Sequence, residues 1–243
     1  MFRLRARFSK NEDLIFISHL DLMRVFERAM RRANIPISHT QGFNPHPIMA
    51  FATALGLGIS SAAEYIDIQL DEEIQTESFV DRLNNVLPNG LKIIQCTYIS
   101  SKEESLMAVI KRSVYLVKVS LQTPISKEEL TTELERFTGL EEIVLIKEKK
   151  KKGRKNQKTV QHVDIRPNIY SIELLSLEEE QAIFKMNLAA GSVGNLKPEI
   201  VIEKLMELTQ LQINLESMRI HRLELFKEVE GTFVTPLEDL KSI

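Results

Sequence analysis

The hydrophobic period of this chain switches between two and 3.6 in an order that leaves few folds open. Residues 2–8 alternate without a break: Phe2, Leu4, Ala6 and Phe8 are apolar, and Arg3, Arg5 and Arg7 stand between them. A period of two sends the two sets to opposite faces of a strand, one buried and one, on this reading, a basic outer face. Ser18-His19-Leu20-Asp21 then opens a helix. Ser18 can accept from the amide three residues on, and Asp21 can return the bond to the Ser18 N–H, as in a capping box. Leu22, Met23, Phe26, Ala29, Met30 and Ala33 fall on one stripe of that helix and Arg24, Arg28 and Arg31 on another. Pro36 stops it.

Ile37–Ala54 holds Gly42, Pro45 and Pro47, so it reads as an interrupted strand or a strand with a shaped loop. Glu64–Leu70 alternates again, Thr76–Leu87 is amphipathic at helical spacing, Asn89-Gly90 is a turn, and Leu91–Ile99 is a strand. The order is β-α-β-β-α-β, the signature of a ferredoxin-like unit. The second half repeats it: a strand over Ser113–Gln122, a helix over Ser126–Phe137 capped at Ser126, strands at Ile143–Lys147 and Gln161–Ile165 around a lysine-rich loop, strands at Tyr170–Leu175 and Ile183–Leu188, a helix over Pro198–Leu211, and a closing strand at Met218–Phe226. The fold class expected is α+β, two tandem ferredoxin-like modules with antiparallel sheets. Module 1 spans 1–105 and module 2 spans 112–230, with the boundary near Ser100–Lys111, where serine and charge replace β-branched residues.

Composition narrows the chemistry. The chain of 243 residues has one cysteine, Cys96, and a formal net charge of -2. One thiolate cannot hold an iron–sulfur cluster or a cysteine-built zinc site, and it excludes an internal disulfide. Cys96 lies in an apolar run and reads as a small buried hydrophobe. No cofactor and no metal are expected. No apolar stretch reaches membrane-spanning length and the first residues lack a signal peptide's apolar region, so a cytoplasmic protein with no membrane partner is expected. A net charge near zero gives no global pull toward nucleic acid, and any such binding must come from local clusters.

Three of the five histidines lie in two dense blocks, Phe16–Arg24 and His39–Pro47. Stiff loops with glycine and proline stand where a backbone or side chain must be aimed. The candidate binding residues are His19, Asp21, Arg24, Gln41, Asn44 and His46. With His39 they could in principle form a metal site or an acid–base pair, but the spacing matches no ligand motif. Leu55–Ser61 contains two glycines without the Lys-Ser/Thr ending of a phosphate-binding loop and without the third glycine of a dinucleotide fingerprint; it reads as a tight connection between strands. In Gln161–Pro167, His162 and Asp164 share a strand face, and Asp164 and Arg166 are a second binding candidate. Lys147–Lys158 is a self-repelling basic block. Lys150, Lys151, Lys152, Arg154 and Lys155 are candidate RNA contacts, where each neutralised phosphate adds a salt-dependent term.

Arg5–Lys10, Phe16–Arg24, Arg31–Pro36, Gly42–Pro47, Glu64–Asp67 and Val163–Pro167 together resemble the radical-SAM-linked family, a bacterial domain of unknown function found beside or fused to radical SAM proteins. The resemblance spans most of the chain and is thinnest toward the C-terminus. It implies partnership: a radical SAM protein encoded separately carries the chemistry, since no Cys-x3-Cys-x2-Cys motif exists here. The resemblance brings no catalytic residues with it. The function expected is a non-catalytic partner or substrate-presenting subunit, acting on RNA or a ribosomal component. The alternative is a metal-independent RNA-processing or RNA-modifying enzyme, with His19, His39 or His46 as its acid–base group.

Overall fold

The computed structural model describes residues 2–150, 158–191 and 194–238. The chain divides into two units, Met1–Tyr115 with Ala190–Val193 and Arg219–Ile243, and Leu116–Ala189 with Gly194–Met218.

The first unit opens with β1 (Phe2–Lys10), a 3-10 turn (Glu12–Phe16), α1 (His19–Arg32), β2 (Met49–Phe51), β3 (Ser60–Leu70), α2 (Thr76–Asn84), β4 (Leu91–Ile99) and one helical turn, α3 (Leu106–Val109). The strands line up as β4-β1-β3-β2, every neighbour antiparallel. Helices α1 and α2 thus each bridge two strands that flank a third. Leu4, Ala6 and Phe8 of β1 and Ile66 and Ile68 of β3 form one face, beneath Phe26, Ala29 and Met30 of α1 and Phe79 and Leu83 of α2. Phe8 and Phe26 meet edge to face, 4.9 Å between ring centres. Each such buried side chain stabilises the fold by about 1.5–3 kcal/mol.

The second unit contains the later part of β5 (Ile110–Leu121), α4 (Lys127–Thr138), β6 (Val144–Lys150), β7 (Lys158–Asp164), β8 (Ile169–Glu178), β9 (Gln181–Ala189), α5 (Pro198–Leu208) and the start of β10 (Ile213–Val229). Its strand order is β10-β5-β9-β8, while β6 and β7 pair only with each other. With that hairpin set aside, the sequence β5-α4-β8-β9-α5-β10 places its last strand beside its first, as the first unit does. Two of the crossings between units fall inside strands, one in β5 at Tyr115–Leu116 and one in β10 at Met218–Arg219. Chain order alone shows no such return, because a strand's pattern carries no record of its neighbours. Helix α5 stops at Leu208, short of the expected Leu211, because Thr209 is extended and its hydroxyl bonds the Leu205 carbonyl.

The end of β10 and β11 (Thr232–Val234) belong to the first unit. They correct the expected basic outer face. Ala63, Tyr65, Leu106, Ile110 and Leu225 form a second buried cluster, with Leu237 packed against it. Arg5 is fully buried. Its guanidinium donates to Asp67 and to the carbonyls of Pro236 and Glu104. Arg3 reaches Asp67 and the Glu103 carbonyl, and Arg7 pairs with Glu224 at 2.9 Å. The alternation is real, but both faces of the strand are covered.

Candidate recognition site

Helix α1 begins as its sequence directs, with one difference. The Ser18 hydroxyl accepts from the Asp21 amide at 3.1 Å and donates to the Asp21 carboxylate at 2.7 Å. Arg24 donates to the same carboxylate at 3.0 Å. The Ser18 hydroxyl and then Arg24 hold the Asp21 carboxyl below the usual carboxylate range. His19 packs edge-on against Phe51, 5.2 Å between ring centres. The full capping box is at α4, where Ser126 and Glu129 exchange both bonds.

The second block is a loop with a fixed neck. His39 bridges Pro47, the Ile48 amide donates to the Ser38 carbonyl at 2.8 Å, and the Thr40 amide donates to the His46 carbonyl at 2.9 Å. The His46 amide returns a bond to the Thr40 hydroxyl at 3.0 Å. Asn44 and His46 pair through Nδ2 and Nε2 at 3.2 Å. Gly42 has φ +128°, a conformation that strains any other residue. The neck stands beside the C-terminal half of α1: Glu27, Arg31, Asn34–Ile37, His39 and Pro47 line a groove of about 380 Å³. Next to His39, the Ser38 hydroxyl donates to Asp71 at 2.6 Å. The tip is in water, and the Phe43 ring is entirely exposed at 112%.

Ser18–Asp21 caps the start of α1, and the loop neck lies beside Glu27 and Arg31 in its C-terminal half. Asp164 and Arg166 are engaged within the second unit. Asp164 accepts from the Ile143 and Arg166 amides, and Arg166 donates to the carbonyls of Leu140, Ile169 and Thr138. Lys150 ends β6 opposite Lys158. Lys151, Lys152, Arg154 and Lys155 lie outside the described residues. Among the described residues, no group of three or more His, Cys, Asp or Glu side chains could hold a metal ion. No helix among them is long and apolar enough to cross a membrane.

Sequence reasoning missed a buried polar cluster in the first unit. Arg222 donates to Glu64 at 2.8 Å, to the Thr53 hydroxyl at 3.1 Å and to the Tyr115 hydroxyl at 3.1 Å. Burial opposes its charge, and Glu64 and Tyr115 more than restore it, so its proton is held more tightly than usual. Lys10, also buried, reaches the Ile15 and Ile17 carbonyls, and burial lowers its pKa against the pull of Glu64. Beside them Ser60 and His221 stand 2.8 Å apart, Oγ to Nδ1, at a register pair of β3 and β10. Each of these residues sits in an alternating strand, where a charged residue reads as facing water. The only sequence signal was that charges recur at Arg222 and Glu224 on one strand face.

The loop and α1 belong to a mixed α+β fold with a large, mostly antiparallel sheet. The chain belongs to the DUF2344 family, described as "Uncharacterized protein conserved in bacteria", whose profile matches residues 3–198. No curated protein matches the sequence. Among solved structures, a chain of a Cbf5-Nop10-Gar1 complex is similar at 12% identity and TM-score 0.50, over 93% of this chain and 50% of that one. A chain of an archaeal box H/ACA sRNP Nop10-Cbf5 complex gives 10% identity and TM-score 0.48, over 90% of this chain and 46% of that one. A chain of an H/ACA RNP bound to a substrate RNA containing 2'-deoxyuridine gives 10% and 0.49, over 99% and 50%. This chain spans about half the length of each, and at such identity the likeness is one of fold.

Proposed function

We propose that this chain is a non-catalytic subunit that presents an RNA or ribosomal component to a separately encoded radical SAM protein. The resemblance of its motif blocks supports the partner. The shared strand order of the two units supports reading modules 1–105 and 112–230 as ferredoxin-like. The observation that carries the reading is the loop Gln41–His46. Its neck is pinned by hydrogen bonds from both sides, and its tip holds an aromatic ring, carboxamides and an imidazole in water. A core has no use for that set, and a partner surface does.

The basic segment adds a phosphate term to this reading through Lys150, Lys151, Lys152, Arg154 and Lys155. Replacing Lys150, Lys151, Lys152, Arg154 and Lys155 by serine should flatten the salt dependence of RNA binding without moving the thermal midpoint. Co-purification of the native protein with its radical SAM partner, with and without RNA, tests the whole: a chain that elutes alone in both cases overturns it. The alternative, an RNA-processing enzyme with His19, His39 or His46 as acid–base group, requires the chain alone to cleave or modify labelled RNA. His39 and His46 share the loop, and His19 opens α1.

A further inference from the structure

We infer that the loop is a site for one unpaired nucleobase of single-stranded RNA, with the Phe43 ring as its stacking platform. This rests on the RNA-binding reading above and names the part of the RNA that the site takes. An aromatic ring fully in water contributes nothing to this fold, while stacking on a splayed-out base is the common way proteins read single-stranded RNA. The neck that carries the ring is closed before binding. Gly42 sets the entry, Pro45 and Pro47 restrict the exit, and the Thr40–His46 bonds close the neck. A preorganised loop loses little conformational freedom when it binds.

The polar groups beside the ring suit a base edge. Gln41 and Asn44 carry carboxamides, which can donate and accept at once, and His46 holds the Asn44 amide in place. The charges at the neck argue against a phosphate clamp there. Arg31 and Glu27 line the same groove, and Asp71, bonded to Ser38, is followed directly by Glu72 and Glu73. A site with no net positive charge binds bases through stacking and edges, and its contribution is nearly independent of salt. A paired base has both faces covered by its neighbours, so single strands are preferred over duplex.

The test is fluorescence anisotropy with a short labelled RNA of mixed sequence, single-stranded and annealed to its complement, across a salt series. Wild-type protein is compared with Phe43→Ala and Phe43→Tyr, with circular dichroism melts confirming that all three fold alike. The expected result is tighter binding to the single strand, a loss of about tenfold or more for Phe43→Ala with the salt slope unchanged, and recovery in Phe43→Tyr. Equal affinity of wild type and Phe43→Ala overturns the inference while leaving RNA binding intact, and assigns the ring to a protein pocket instead. A changed salt slope, or no recovery with tyrosine, overturns it as well. No binding of either RNA by the wild type removes the RNA reading itself.

Discussion

Arg5 and Asp67 face each other directly in the β1–β3 register, and their side chains close a buried two-point ion pair, Nε to Oδ1 at 2.7 Å and Nη2 to Oδ2 at 3.0 Å. Arg3 donates to the same carboxylate at 2.6 Å. Removing the acid strands the fully buried Arg5 guanidinium without its counter-charge. Asp67→Ala is therefore expected to cost about 3–5 kcal/mol, measured by urea unfolding. Replacing both residues by leucine should recover most of that loss, since the desolvation cost goes with the charges.

His221 couples stability to pH. Burial lowers its pKa, so the folded state holds the neutral ring beside the Ser60 hydroxyl. The unfolded chain binds that proton near the ordinary pKa of about 6.5. The folded state binds it only at lower pH, so stability from this group is complete above about 6.5 and declines as pH falls below it. Thermal midpoints at pH 7.5 and 5.5 should differ less in His221→Gln than in the wild type. An identical fall in both would remove His221 from the acid response.

Cys96 is expected to be inert in the native protein. Burial, with Glu77 adding to it, pushes its thiol up to about 12. The thiol stays protonated throughout the neutral range, and only the thiolate reacts. Iodoacetamide at pH 8 should label Cys96 slowly in buffer and quickly in denaturant. Fast labelling of the folded protein would contradict its burial.

Two local devices should separate in size. Ser126→Ala removes the hydroxyl half of the α4 capping box and should cost about 1 kcal/mol. Gly90→Ala should cost more, because a Cβ there would lie 2.5 Å from the Asn11 carbonyl oxygen, at a residue with φ +89°. The Gly90 carbonyl also accepts the Asn11 amide at 2.7 Å, so the two segments cannot separate without breaking that bond. Chemical denaturation of both variants, with Ser18→Ala as a second cap, tests the order.

Local chemistry was legible in the sequence. The alternation of residues 2–8, the serine caps at Ser18 and Ser126, Pro198 at the start of α5 and the turn at Gly90 all follow from period, hydrogen-bonding side chains and backbone freedom within a few residues. The two motif blocks were legible as unusual for the same reason. Their placement along α1 was not, because it depends on the direction in which α1 crosses the sheet. Tertiary structure alone decided that β6 and β7 leave the main sheet, and that β5 and β10 each pass from one unit to the other. It also turned Arg5, Lys10, Glu64 and Arg222 inward. A strand's period of two says that two faces differ, and only packing settles whether water or protein lies beyond the second one. Here α3, Leu225 and the residues around Pro236 lie there, and the charges are satisfied by one another and by backbone carbonyls.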